Sequence, residues 1–252
     1  MAGINSLTPQ DQHLRFTQQA HWTGELRRYL FQKTGLESAQ RVLEVGCGTG
    51  AVLAGLHSSG MINGLDIDRT RLIEAADRSP GAVLTCGDAS DLPFSTCRFD
   101  LTFCHFLLLW VSDPVQVLRE MCRVTQPGGN VIAMAEPDYS QRIDHPEALV
   151  QLGQWQTASL RQQGADPDLG SKLAGLFIKA GMRIIESGSL KKRGNTPLKP
   201  DEWKSEWKMI EADLHGKVKD EELQRLKQLD NNAWKRGERV LYIPTFYVWG
   251  KP

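Results

Sequence analysis

Glu44, three alternate glycines (Gly46, Gly48 and Gly50) and Asp66 are the residues of this chain best placed to do chemistry. The glycines follow the apolar run Val42-Leu43-Glu44-Val45, and Asp66 comes about twenty residues later. Alternate glycines let the backbone turn tightly and let a ligand lie against main-chain N–H groups where a Cβ would block it. An acid at the end of the next strand suits the two hydroxyls of a ribose. These types at this spacing predict a nucleoside site.

Turns that bind a dinucleotide read G-x-G-x-x-G and lead a pyrophosphate onto a helix N-terminus. Here the spacing is G-x-G-x-G, and Glu44 precedes it. A carboxylate at that point would repel phosphate but suit an ammonium group. S-adenosylmethionine (SAM) is a ligand of that kind: adenine, ribose, a sulfonium and a zwitterionic amino acid, with no phosphate. The stretch resembles the first motif of the class I SAM-dependent methyltransferases, acid-x-G-x-G-x-G. Further likeness runs through roughly residues 40 to 136. Cys86-Gly87-Asp88-Ala89 resembles the family's adenine motif, and Asp91-Leu92-Pro93-Phe94 its continuation. Phe99–Cys104 is similar to the fourth strand. Arg123 to Gly129 is similar to the turn before the fifth, with Gln126 in place of the usual basic residue.

The resemblance implies a cofactor set of Glu44, Gly46, Cys47, Gly48, Gly50, Asp66, Ile67, Asp88, Ala89 and Cys104. Glu44 would orient the ammonium group, Asp66 take the ribose, Ile67 pack on the adenine and Asp88 accept from its amine. The turn and the N-terminus of a helix after it would face the methionine carboxylate. Asp68 is expected to cap the next helix. The methyl would sit at the end of the fourth strand, beside Cys104, His105 and Phe106. His105 is the candidate catalytic base, because imidazole titrates near neutral pH; the alternative is a histidine that orients the cofactor or packs beneath a cap. Glu136, Asp138, Tyr139 and His145 are further acceptors of a proton. Arg15, Gln18, Gln19 and Trp22 precede the first strand; they either fold over the cofactor, as the resemblance implies, or lie on a solvated helix. No carboxylate set typical of the metal-dependent members is recognisable, so no metal is expected.

These residues need elements to hold them. Thr8-Pro9 starts a helix and Gly35 ends a second. Then strands at 41–45, 60–66, 82–86, 99–104 and 130–135 alternate with helices at 51–58, 69–78 and 114–124. Short apolar strands alternating with helices demand a parallel sheet covered on both faces. The fold class is α/β: a doubly wound, Rossmann-like sheet, with helical cap insertions. The resemblance adds the number and order of its strands: seven, in the order 3-2-1-4-5-7-6. Residues 1–40 read as an N-terminal helical cap, 41–136 as the SAM-binding core and 137–170 as a lid insertion. Residues 171–252 complete the sheet around a second cap insertion near 195–240. Helices are expected at 145–163, 171–180, from Pro200, and across Leu223 to Leu229, with strands at 183–190 and 242–250. Trp203 and Trp207 at helical spacing read as cap core. With Trp155 and Trp234 they also suggest an enclosed, partly apolar pocket for a small or medium organic acceptor.

Composition sets outer limits. Thirty acidic and thirty basic side chains in 252 residues cancel, so no basic excess points to nucleic acid. The longest apolar run, Phe106 to Val111, is too short to span a bilayer. Five cysteines without a C-x-x-C pair suit a reducing cytoplasm better than a disulfide framework. A cytoplasmic enzyme acting on a small molecule and releasing S-adenosylhomocysteine is the expectation, with oligomeric state open. A SAM-fold protein that does not methylate, and an NAD(P)-linked oxidoreductase, stay open as alternatives.

Overall fold

Arg41–Val45 (β1) is buried from its second residue onward, and its neighbours in the chain face opposite ways. Val42 packs with Leu30, Phe31, Leu101, Phe103 and Ile132 on one face of a sheet. Leu43 and Val45 pack with Phe99, Leu118 and Phe177 on the other. That alternation of period two makes β1 a central strand covered on both sides. The structure is a computed structural model, and its described residues are 7–190 and 199–252.

Around β1 lie Met61–Asp66 (β2), Val83–Cys86 (β3), Phe99–His105 (β4) and Thr125–Pro137 (β5), all parallel. A two-stranded ribbon of Ile143–His145 (β6) and Val240–Tyr242 (β8) stands apart. Arg183–Ser189 (β7) and Thr245–Lys251 (β9) close the main sheet, β9 antiparallel to both β5 and β7. The order is β3-β2-β1-β4-β5-β9-β7, which, counting only these strands, is the expected 3-2-1-4-5-7-6. The strand order reverses between β1 and β4, so the crevice at their carboxyl ends is where a ligand belongs.

The helices are Pro9–Trp22 (α1), Gly24–Thr34 (α2), Arg69–Arg78 (α3), Pro114–Val124 (α4), Val150–Gln162 (α5), Leu169–Lys179 (α6), Pro200–Leu214 (α7) and Asp220–Lys235 (α8). Thr8 caps α1 with Pro9 in its first turn, and Gly35 ends α2 in the left-handed conformation. Asp68 caps α3 by accepting from the N–H groups of Thr70 and Arg71. These local signals carried.

Three expectations need correction. Residues 51–58 form no α-helix, only a 3-10 turn at Leu53–Gly55. One i→i−4 bond forms, Ala54 N–H to the Gly50 carbonyl, and then the pattern tightens to i→i−3. Gly55 and Ser58-Ser59-Gly60 interrupt it, and the chain is pinned back beside β1 by the bond from Met61 N–H to the Gln40 carbonyl. The expected closing strand is cut by Ile243-Pro244 into β8 and β9, because proline cannot donate to a ladder. The helix expected from His145 starts only at Val150, since residues 143–145 are spent on β6. Part of the interval near 195–240 falls on residues 191–198, outside the described residues.

The two insertions form one body. Leu149 and Leu152 pack with Trp207, Ile210, Leu214, Leu223 and Leu226 in a cluster of their own. The indole N–H groups of Trp203 and Trp207 both donate to Asp230 Oδ2, at 2.6 and 2.8 Å. Asp230, Arg239, Asp144 and Arg142 then form a chain of ion pairs whose side chains are at most 6% exposed. The tryptophans at 203 and 207 are cap core, as their spacing suggests, so with Trp155 they pack the cap rather than wall an acceptor pocket. Helix α6 packs on the sheet, where Leu169, Leu173 and Phe177 join its core.

Candidate cofactor and acceptor site

The glycine turn lies at the carboxyl end of β1, and all three glycines take positive φ: 75° at Gly46, 53° at Gly48 and 77° at Gly50. A Cβ on Gly46 would lie 2.7 Å from Leu107 Cδ1, so only glycine fits there. Gly46 and Cys47 donate to the Leu65 carbonyl, which stitches the turn onto β2. Asp66, 7% exposed, accepts from Gly48 N at 2.8 Å on Oδ2 and from Asp68 N at 2.9 Å on Oδ1. Each oxygen keeps a further acceptor position, which two hydroxyls could use. With no α-helix after the turn, the expected helix N-terminus is missing, and any carboxylate held here meets the turn's own N–H groups.

Glu44 ends its side chain in the same gap. It is 2% exposed, and its Oε2 has no hydrogen-bond partner. Burial pushes its carboxyl well above the usual range; Arg27 opposes this and Asp66 adds to it. A buried carboxylate oxygen without a donor calls for one from a ligand. An ammonium group would supply it. Cys47 and Cys104 are buried, and burial raises both thiols, so they act as small neutral walls rather than nucleophiles.

At the other end, Ile67 presents an apolar side chain that is 70% exposed. Asp88 accepts from Ser90 N and Ser90 Oγ, both at 2.8 Å and both on Oδ1. These bonds hold its carboxyl below the usual range, and both fall on the one oxygen. Ala89 packs partly buried against the core beside it. The edge of the sheet thus carries three carboxylates in order, Glu44, Asp66 and Asp88, each with acceptor capacity left over.

His105 stands where the sequence places it, at the end of β4, but it is not set up as a base. Its Nε2 is 2.8 Å from Thr23 Oγ1. Burial, with help from Arg27, pulls its pKa down to about 3, so the ring is neutral at ordinary pH and holds protons poorly. Among the other acceptors, Glu136 takes N–H bonds from Leu107, Leu108 and Leu109. Burial raises it to about 7. Asp138 is tied to Ser140 and Gln141. His145 is spent on β6 and is exposed. Tyr139 differs from these: burial raises its phenol, and Arg15, Glu206, Arg142 and Asp213 face it. Phe106 and Ala135, at φ 52° and 64°, bend the ends of β4 and β5 in a conformation that L-residues other than glycine seldom adopt. Such strain clusters where a site must be aimed.

Helix α1 crosses this edge, but not by the residues expected. Arg15 pairs with Glu206 and Gln18 donates to the Glu202 carbonyl, so both serve the contact with α7. Trp22 lies under the Arg15 guanidinium, 4.8 Å from its ring centroid, and its Nε1 is buried without a partner. The residues of α1 that reach the glycine turn are His13, whose Nδ1 is 2.8 Å from Thr49 Oγ1, and Phe16, whose ring lies over Gly48. Sequence gave no signal for either, because helical spacing does not say which face meets a distant turn.

Residues 43–133 match the family described as "Methyltransferase domain". A demethylmenaquinone methyltransferase of Renibacterium salmoninarum is 35% identical over 111 residues, covering 44% of this chain and 47% of that one. A malonyl-[acyl-carrier protein] O-methyltransferase of Erwinia billingiae is 34% identical over 109 residues, covering 43% and 42%. The chain therefore spans about half the length of the curated relatives it matches. Among solved structures, a putative methyltransferase of Bacillus halodurans superposes with TM-score 0.61 at 16% identity, covering 89% of this chain and 98% of that one. The [4+2]-cyclase SpnF gives 0.58 at 21%, covering 90% and 81%. Geranyl diphosphate C-methyltransferase of Streptomyces coelicolor, solved with S-adenosylhomocysteine, gives 0.56 at 11%, covering 90% and 77%. Residues 43–133 are thus similar to a methyltransferase domain, and the solved structures share the fold of the whole sheet. Among the described residues, no helix is long and apolar enough to cross a membrane.

Proposed function

We propose that this chain binds SAM and directs its methyl group to a small or medium organic acceptor held between the sheet edge and the cap. The observation that carries the reading is the pairing of a positive-φ glycine turn with Glu44, whose buried oxygen lacks a partner. Glu44 would hold the ammonium group, Asp66 the ribose, and Asp88, Ala89 and Ile67 the adenine. When bound, SAM supplies a methyl already activated by its sulfonium. The protein's task is then to aim the acceptor and exclude water, and holding reactants in attack geometry is worth roughly 7–11 kcal/mol of barrier. The cap insertions support the enclosure, and Tyr139, facing two arginines and two acids, is the group best placed to touch an acceptor. The relatives methylate acceptors as different as demethylmenaquinone and malonyl-acyl-carrier protein, by their names, which supports the reaction more than any one substrate. Cysteines without a disulfide support a cytoplasmic setting.

Incubation with methyl-labelled SAM and a metabolite extract tests this. Transfer of label to an organic product, identified by mass spectrometry, is the expected outcome. Tight binding of SAM with no transfer to any acceptor would leave a SAM-fold protein that does not methylate. Saturation by a pyridine dinucleotide, with no heat on adding S-adenosylhomocysteine, would remove SAM altogether.

A further inference from the structure

Strands β4 and β5 run side by side as far as His105 and Met134, and Phe106 N–H still reaches the Met134 carbonyl. There both chains bend away. Phe106 and Ala135 take positive φ, 52° and 64°, a conformation costly to residues with a Cβ. Each stands immediately before a residue that the bend aims: Leu107 on one side and Glu136 on the other. The next three N–H groups, of Leu107, Leu108 and Leu109, lie beyond the ladder, and an N–H shut off from water must find another acceptor. The Glu136 carboxyl, 0% exposed, supplies it. Oε1 accepts from Leu107 at 3.0 Å and from Leu108 at 2.9 Å, and Oε2 from Leu109 at 3.2 Å. Leu107 is the residue that this clamp places over the glycine turn. Its Cδ1, Cδ2 and Cγ fill the space of a Cβ on Gly46, at 2.7, 3.1 and 3.2 Å from that position. It therefore lies between the ends of β1 and β4, where the strand order reverses.

We propose that Glu136 is a positioning residue for the sulfur end of the cofactor: it fixes the turn after β4 so that the Leu107 side chain stands against Gly46 as the apolar wall that the sulfur and its methyl meet. The inference rests on the SAM reading above. The hold does not depend on charge. Oε1 carries both Leu107 and Leu108, so it accepts those bonds whether or not Oε2 holds a proton. The far end of the turn is pinned separately, by Asp166 N–H on the Leu109 carbonyl at 2.8 Å, which leaves the placing of Leu107 to Glu136. Two strained residues persist only where neighbouring contacts over-determine them, and the three bonds to Glu136 are such contacts. A leucine wall shuts out water and offers the methyl no competing nucleophile.

Calorimetry with S-adenosylhomocysteine, 5′-methylthioadenosine and adenosine provides the test, because the first two carry the sulfur and the last does not. Leu107→Ala should weaken the two sulfur compounds about tenfold and leave adenosine within about twofold, which also shows that the site is still folded. Glu136→Ala should give the same pattern. With both changes together the loss should exceed that of Leu107→Ala by no more than about twofold, since the carboxyl acts through the leucine. Glu136→Gln keeps an oxygen for Leu107 and Leu108 and should recover most of the affinity that Glu136→Ala loses. Should Glu136→Ala fail to fold, Glu136→Asp takes its place: its shorter side chain draws the acceptor back from Leu107 and must show the same selectivity and the same non-additivity. Losses that multiply in the double variant overturn the proposal, because Glu136 then acts independently of Leu107. Equal weakening of all three compounds, or affinity unchanged in Glu136→Ala, overturns it too. A wild-type protein that binds none of the three sinks the SAM reading instead.

Discussion

Asp66 holds the glycine turn with a carboxylate that is also the one proposed for the ribose. Its bonds to Gly48 N and Asp68 N fix both oxygens at the edge of β2. Asp66→Asn keeps the shape but turns one acceptor into a donor that opposes a backbone N–H. Hydrogen bonds to a charged group are worth about 1.5–3 kcal/mol each, so S-adenosylhomocysteine should bind between tenfold and a few hundredfold more weakly. Calorimetry reads this directly, and unaltered affinity would remove the ribose assignment. His105 invites the opposite forecast. With a pKa near 3, it has no proton to exchange near neutrality, so His105→Ala should lower turnover by loosening Thr23 while leaving the midpoints of the pH–rate profile in place. A midpoint lost on substitution would restore the histidine as a base. Asp66 and the glycines were legible in the chain because a strand, its turn and the next strand are local. Thr23, His13 and Phe16 were not, since they meet His105, Thr49 and Gly48 from a helical segment packed on top, and nothing in their own spacing names the destination.

The clearest departure from sequence pattern among the elements lies on either side of the site. After β1 the helix expected at 51–58 shrinks to a 3-10 turn; after β4 another short turn, Leu108–Trp110, is held by Glu136 from the end of β5. Glycine and serine at 55 and 58–60 could have warned of the first. The second is a contact between segments nearly thirty residues apart, which no local rule reaches. Glu136 also makes a test of the element. Its folded pKa, about 7, lies above the ordinary 4.5. Below pH 4.5 both folded and unfolded chains carry the proton, so it contributes nothing to the pH dependence there. As pH rises from 4.5 to 7, the unfolded chain gives up the proton first, and stability falls across that window, by about 3 kcal/mol from this group. Glu136→Gln cannot titrate. Denaturant melts of the two proteins between pH 4.5 and 8 should therefore differ in slope, the variant flatter; parallel curves would mean that the carboxyl is ionised throughout.

At the scale of the whole molecule, the division of labour follows the two cores. The cofactor candidates Glu44, Asp66 and Asp88 are set by the sheet, and the cap, built from two separated stretches of chain, has its own apolar cluster and its own buried ion chain. Periodicity revealed each cap helix; that they would merge into one unit was not readable, because the packing partner of an amphipathic face is not written in that face. The link between the bodies is α1, and it is largely polar: Asp11 with Lys208, Arg15 with Glu206 and Gln18 with the Glu202 carbonyl on the cap side, His13 with Thr49 on the sheet side. Such a link aligns the two without fusing their cores. Leu226 is 1% exposed at the centre of the cap cluster and lies outside the sheet core. Leu226→Ala removes buried apolar volume there, at a cost of about 2–5 kcal/mol to the cap. Because the proposed cofactor contacts sit on another core, S-adenosylhomocysteine affinity should stay within about twofold of wild type. On the proposed reading, which holds the acceptor between the sheet edge and the cap, methyl transfer should fall far more. Hydrogen exchange gives the matching view, with amides of α7 and α8 exchanging faster in the variant and those of β1 and β4 unchanged. If instead cofactor affinity and β1 protection drop together with turnover, the cap and the sheet unfold as one cooperative unit, and the acceptor cannot be assigned to a separately stabilised lid.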